Sequence, residues 1–146
     1  MILVSACLLG VNCKYNGGNN KTIKVDELLK DEILIPVCPE QLGGMETPRN
    51  PSEIILIDGK KHVVDKKGND VTFQFVKGGE ETLKIAKLFN IETAILKSNS
   101  PSCGCGSIYD GTFTGKIVEG NGITAAILKS NNIKIYNEIS YFEKLK

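Results

Sequence analysis

Three cysteines closely follow apolar segments of the chain, and their thiols are the side chains best suited to chemistry. Cys7 follows residues 1–6, Cys38 follows residues 33–37, and Cys103 follows residues 93–96 after a short polar loop. If these segments are parallel strands of one sheet, their carboxyl ends share an edge, and the three thiols converge on one crevice. That arrangement suits a metal or iron–sulfur centre better than it suits disulfides.

The cysteine spacing by itself leaves two interpretations open. The chain has neither the paired C-x-x-C of a structural zinc site nor the ferredoxin spacing. Three separate thiolates can hold an iron–sulfur cluster and leave one iron open, as a Lewis acid that binds sulfur. Buried core thiols explain Cys7 and Cys38 equally well. Cys13 and Cys105 are expected to be ordinary thiols.

Four polar residues accompany these cysteines in sequence, and each has an ordinary role as its alternative. Glu40 lies two residues after Cys38 and could move protons, or it is merely solvated. Ser100 could position a substrate or relay a proton, or it caps a turn. Lys97 could attract an anion or extend to water. Arg49 could contact a substrate or order a loop, or it lies on the surface.

Other chemistry finds little support in the sequence. His62 is the only histidine and lies in a predicted hairpin far from the cysteines, so we expect it at the surface. No Ser–His–Asp arrangement can be assembled around it, and no phosphate-binding glycine loop is present. The net charge of +1 indicates no basic face for duplex nucleic acid.

The composition predicts one soluble domain that spans residues 1–146. Apolar residues make up 41% and charged residues 24% of the 146 residues, both ordinary values for a globular protein. Residues 1–4 are too short an apolar start for a signal peptide or membrane span, so we expect a cytoplasmic protein. Five cysteines in a reducing compartment are not expected to form disulfides. The oligomeric state stays open.

The order of apolar and glycine-rich segments predicts an α/β fold, with an open, mostly parallel sheet, helices on both faces and a small β-hairpin insertion. Strands are expected at residues 1–6, 33–37, 91–96 and 133–136, and the hairpin at 53–57 and 61–64. Helices are expected near residues 25–29, 75–86, 123–127 and 139–145. Gly78 and Gly79, inside the longest helix, predict close packing or a kink.

Several segments carry motifs of a known family. Residues 5–10 read Ser-Ala-Cys-Leu-Leu-Gly, residues 36–44 read Pro-Val-Cys-Pro-Glu-Gln-Leu-Gly-Gly, and residues 47–49 read Thr-Pro-Arg. Residues 96–104 read Leu-Lys-Ser-Asn-Ser-Pro-Ser-Cys-Gly, and residues 13–17, 108–115 and 122–126 add further matches. Over nearly its whole length the chain resembles the 2-thiouracil desulfurase family.

The resemblance implies a non-redox conversion of 2-thiouracil to uracil and hydrogen sulfide. A [4Fe-4S] cluster is implied on three cysteines, by position Cys7, Cys38 and Cys103, with the thiocarbonyl sulfur at the fourth iron. Glu40 and Ser100 correspond to the acid and serine that assist attack by water. Cys7 is preferred to Cys13 because it follows its strand directly, although Cys13 could replace it.

The sequence leaves two other functions open. One is a sulfur carrier in which a cysteine forms a persulfide, and the other is a non-enzymatic module that binds a metal or stores a cluster. For the enzyme, the substrate could be 2-thiouracil, 4-thiouracil or a thiolated nucleoside, since each presents one soft sulfur.

Overall fold

A computed structural model describes residues 1–146, which form eight strands and five helices. The strands are β1 (Ile2–Ser5), β2 (Leu34–Val37), β3 (Ser52–Ile57), β4 (Lys60–Asp65), β5 (Thr93–Leu96), β6 (Ser107–Tyr109), β7 (Ile117–Glu119) and β8 (Lys134–Asn137). The helices are α1 (Ile23–Glu27), α2 (Pro39–Leu42), α3 (Thr72–Leu88), α4 (Ile123–Ser130) and α5 (Ser140–Glu143). None of them has the length and apolar character needed to span a membrane.

The central sheet is parallel throughout, with strand order β2-β1-β5-β8. Val4 of β1 pairs with Pro36 on one side and Ile95 on the other. The next residue along, Ser5, pairs with Val37. Strands β1, β2 and β5 therefore end at the same level, and the loops that follow them begin at one edge.

Helices cover both faces of this sheet, because side chains along β1 alternate between two cores. Ile2 and Val4 pack with Val25 of α1 and Tyr141 of α5. Leu3 faces the other way, into a core that includes residues of α3 and α4. The predicted α/β architecture is confirmed.

The predicted hairpin is also confirmed, and a second hairpin was not predicted. Strands β3 and β4 form a separate antiparallel pair, while β6 and β7 pair inside a segment expected to be irregular. Each strand of the second hairpin has three residues, too few to show an alternating pattern among the surrounding glycines. Ile54, Val63, Phe75 and Ile108 form a core that joins both hairpins to α3.

The two glycines predicted to allow close packing in the long helix do so. A Cβ on Gly78 would overlap the carbonyl oxygen of Pro39, and a Cβ on Gly79 would meet Ile127. Gly43 is equally close to the backbone of Gln74. Helix α2 thus packs directly on the backbone of α3, and this contact fixes the short segment that carries Glu40.

We predict that Gly78→Ala destabilises the protein by about 1 to 3 kcal/mol through overpacking. The higher helix propensity of alanine would stabilise α3 by about 1 kcal/mol. The new Cβ would, however, overlap the backbone carbonyl of Pro39, and a backbone group cannot move aside by a rotamer change. Urea unfolding of the variant and the wild type measures the difference in the free energy of unfolding, and the m value should be unchanged.

Glu80→Ala is the matched control, since Glu80 is exposed on the same helix. It should leave stability within about 0.5 kcal/mol of the wild type. If Gly78→Ala proves as stable as this control, α2 and α3 do not pack as closely as described.

Candidate active site

A cavity of about 440 Å³ opens at the carboxyl edge of the sheet. Cys7, Cys38 and Cys103 all line it, although they come from three loops far apart in sequence. Cys7 and Cys103 are buried and Cys38 is half-buried. The convergence expected from the three strand ends is therefore present.

A fourth thiol, that of Cys13, lies in the same cavity and is 2% exposed. Cys38 Sγ donates to the carbonyl oxygen of Cys13 at 3.7 Å. Interaction with the Cys13 thiol, aided by Asn20, lowers the pKa of Cys7 to about 7 despite its burial. Interaction with Cys13 likewise lowers the pKa of Cys38 to about 7. Cys38 and Cys7 in turn raise the pKa of Cys13, so the three neighbouring thiols together favour two thiolates and one retained proton.

Cys103 differs electrostatically from the other two strand-end cysteines. Burial raises its pKa to about 12, although a hydrogen bond involving Ser5 opposes the shift. A bound metal would have to displace its proton, as thiolate–metal bonding does elsewhere.

The donor set of the cavity fits an iron–sulfur cluster. Its thiols are the soft ligands that clusters use, and they stand on separate loops around one cavity. No three His, Cys, Asp or Glu side chains converge on a single-ion site. In a cluster each thiolate bonds a different iron, so convergence on one point is not required.

Glu40 lines the cavity and is held there by Arg49. The guanidinium Nη2 donates to Glu40 Oε2 at 2.7 Å and to the carbonyl oxygen of Cys13 at 2.8 Å. The backbone N–H of Arg49 donates to Tyr15 O at 2.7 Å, so Arg49 joins the first loop to the second. The Arg49 side chain is 4% exposed and does not line the cavity. Of the roles considered for Arg49, the structure shows the ordering of a loop, since the side chain lies behind Glu40 and outside the cavity lining.

Ser100 lines the cavity at the start of the loop that presents Cys103. Its Oγ accepts hydrogen bonds from the backbone N–H groups of Ser102 at 3.1 Å and Cys103 at 3.0 Å. Ser100 therefore caps a turn and also faces the cavity, and its role toward a substrate stays a prediction. Because Oγ already accepts two bonds, its remaining capacity is to donate the hydroxyl hydrogen.

Lys97 also lines the cavity, but its ammonium group is already engaged. Nζ lies 3.2 Å from Glu138 Oε1 and donates to both oxygens of Ser98. Its charge contributes, after the interaction with Cys13, to the lowered pKa of Cys7.

The remaining residues considered from the sequence lie elsewhere. His62 lies in strand β4 of the first hairpin, and its Nδ1 is 2.9 Å from Asp70 Oδ2. Cys105 is not part of the cavity lining. Sequence reasoning missed several lining residues: Asn20, Ser52, Glu53, Tyr109 and Phe113. One signal for Ser52 and Glu53 was available, since two polar residues there open an otherwise apolar strand.

Fold and site together define a small single-domain α/β protein with a thiol-lined cavity at the carboxyl edge of a parallel sheet. A family model described as 2-thiouracil desulfurase matches residues 2–140, and the chain belongs to this family. It is 44% identical to an uncharacterised protein of Bacillus subtilis (strain 168), YbbK, over 94% of this chain and 95% of that one.

A solved structure supports the same assignment. The chain resembles the [4Fe-4S]-dependent thiouracil desulfidase TudS with a TM-score of 0.86 and 37% sequence identity. The match covers 99% of this chain and 98% of the TudS chain. The resemblance to the 2-thiouracil desulfurase family is confirmed.

We predict that Arg49→Ala destabilises the protein by about 2 to 4 kcal/mol, because it leaves the Glu40 carboxylate without its partner and separates two loops. Urea unfolding of the variant, compared with Glu40→Gln and with the double variant, measures the coupling between the two side chains.

Lys84→Ala is the control, because it removes an ion pair to Glu81 whose lysine is 69% exposed. The Lys84→Ala substitution should lower the free energy of unfolding by less than about 0.5 kcal/mol. Equal effects of Arg49→Ala and Lys84→Ala would show that Arg49 does not fix the cavity wall.

Proposed function

We propose that this chain is a [4Fe-4S]-dependent desulfurase that hydrolyses 2-thiouracil to uracil and hydrogen sulfide. The observation that carries the proposal is the cavity itself, in which three cysteines from separate strand ends meet Glu40 and Ser100. Membership of the 2-thiouracil desulfurase family and the likeness to TudS support it.

Cys7, Cys38 and Cys103 are the cysteines that would hold the cluster. The lowered pKa of Cys7 and of Cys38 makes both available as thiolates near neutral pH, and all three cysteines follow strands that end at the same level. A bound cluster supplies Lewis-acid chemistry that polarises the carbon–sulfur bond of a thiopyrimidine.

Glu40 is the residue that would accept a proton from the attacking water. Its Oε2 is fixed by Arg49, so the carboxylate has a defined orientation and Oε1 remains to serve as base. Because Arg49 stays behind the carboxylate, it acts as a positioning residue in this scheme.

Ser100 would act as a hydrogen donor to the leaving sulfur or the ring nitrogen. Two backbone N–H groups point at its Oγ and stabilise negative charge there, which makes the hydroxyl a better proton donor. The overall reaction balances without electrons: water supplies one oxygen to the ring carbon and two protons to the departing sulfide.

We predict that protein purified without oxygen is brown and carries about four irons and four acid-labile sulfides per chain. Replacing Cys7, Cys38 or Cys103 by serine should remove most of this iron, since each variant loses one ligand. Anaerobic iron and sulfide analysis with visible spectra measures the loss.

Cys105→Ser is the matched control, because this thiol does not line the cavity, and it should keep its full iron content. Loss of colour in Cys13→Ser with retention in Cys7→Ser would overturn the ligand assignment. A colourless protein with one bound zinc would overturn the cluster.

We predict that Glu40→Gln and Ser100→Ala keep their iron but turn over 2-thiouracil about 100-fold to 10,000-fold more slowly, as expected for lost proton transfer. Uracil release measured by chromatography, at equal iron content, gives the rates. Glu81→Gln, on the exposed side of α3, is the control that should retain the wild-type rate. Full turnover by a brown Glu40→Gln or Ser100→Ala protein would contradict the assigned role.

A further inference from the structure

Phe113 brings an aromatic ring to the cavity without being part of any apolar core. It lies on the β6–β7 loop (residues 110–116), lines the cavity and is half-buried. None of the three cores includes it, and its ring pairs with no other aromatic ring. Packing within the protein therefore does not explain why a large apolar side chain lies at this position.

The backbone of Phe113 is also strained. Its φ of 57° lies in the left-handed region, which bulky residues rarely adopt because the Cβ crowds the neighbouring carbonyl oxygen. A glycine would adopt the same conformation at a lower cost in free energy. Strained residues persist where the surrounding structure enforces their conformation, and they are concentrated at functional sites.

Glu53 of β3 holds this part of the loop in place. Its side chain is 8% exposed, and its Oε1 accepts hydrogen bonds from the backbone N–H groups of Gly111 at 2.9 Å and Phe113 at 3.2 Å. Gly111 lies so close to β3 that a Cβ there would be 2.7 Å from the carbonyl oxygen of Ile54. The loop is thus fixed against β3, and the ring of Phe113 has a defined position in the cavity wall.

An aromatic side chain in a cavity wall suits a planar, aromatic ligand. Pyrimidine rings stack on aromatic side chains, and one such stack tightens binding by about 10-fold to 100-fold. Because every pyrimidine has a π face, stacking does not depend on which ring carbon carries the sulfur. A contact to the sulfur binds one atom of the substrate, whereas a stacked aromatic ring binds the whole pyrimidine plane.

We propose that Phe113 is the residue on which the pyrimidine ring of the substrate stacks, and that Glu53 is a positioning residue that holds Phe113 in place. This inference deepens the proposed function and rests on it for the identity of the substrate. Stacking is a binding contact and moves no proton, so its loss acts on KM more than on kcat.

The test compares two ligands that share their hydrogen-bonding groups and differ in the ring. Uracil is planar and aromatic, whereas 5,6-dihydrouracil carries two additional hydrogens, is puckered and has no continuous π face. Calorimetric titration of cluster-loaded wild-type protein should show a preference for uracil of about 10-fold or more.

Phe113→Leu keeps an apolar side chain but removes the flat ring. It should reduce the preference for uracil to less than about threefold and raise KM for 2-thiouracil about 10-fold, with kcat within about twofold of the wild type. Phe73→Leu is the matched control, because Phe73 is 77% exposed on α3 and does not line the cavity. It should leave the preference and KM unchanged.

Two comparisons separate binding from folding. Phe113→Gly relieves the strained φ, so it should lose the uracil preference yet melt at or above the temperature of Phe113→Ala. Glu53→Ala releases the loop and should lose the same preference. Glu53→Gln retains Oε1 as an acceptor and should restore the preference to within about threefold of the wild type. Failure of Glu53→Gln to restore it would refute the positioning role.

The outcomes separate this inference from the proposed function. If the wild type releases uracil from 2-thiouracil but Phe113→Leu keeps the wild-type KM and preference, the desulfurase stands and the stacking residue falls. An equal loss for both ligands, together with lower thermal stability, would show a structural role only and overturn the inference. If the wild type releases no uracil, the desulfurase falls and binding decides: a uracil preference lost in Phe113→Leu supports stacking, and no preference refutes it.

Discussion

Parallel pairing of β1 with β2 on one side and β5 on the other is the constraint on which the site depends. The register brings the last residues of all three strands to one level, and the loops that follow therefore begin beside one another. Cys7, Cys38 and Cys103 occupy those loops. Local sequence cannot bring three thiols together across about a hundred residues, but a parallel sheet does so as a consequence of its hydrogen bonding.

Polar contacts between side chains and backbone connect the loops around the cavity to one another. Arg49 binds the carboxylate of Glu40 and the carbonyl oxygen of Cys13, so a single buried guanidinium ties the first loop to the second. The pKa values of Cys7, Cys13 and Cys38 depend on one another, and this dependence favours Cys7 and Cys38 as thiolates and Cys13 as the protonated thiol. A persulfide carrier needs a thiol that a partner protein can reach, and the burial of Cys7, Cys13 and Cys103 favours a small-molecule reaction.

The parts of the fold that the sequence predicted are those set by long apolar patterns: the parallel sheet, the helices on both faces and the first hairpin. The β6–β7 hairpin was not predicted, because three-residue strands among glycines show no period. The position of Cys13 depends on how the first loop folds back, and the position of Arg49 depends on packing between two loops. Neither is encoded locally, which is why Cys13 was expected to be an ordinary thiol and the role of Arg49 stayed open between a substrate contact, a loop contact and the surface.

The most direct test of the account uses water labelled with oxygen-18. The central claim is that the chain carries out a non-redox hydrolysis, so the oxygen of the product must come from solvent. Cluster-loaded protein and 2-thiouracil, mixed anaerobically without a reductant, should give one labelled oxygen per uracil and one sulfide per uracil by mass spectrometry and sulfide assay. Unlabelled uracil, or turnover that requires an added electron donor, would contradict the account.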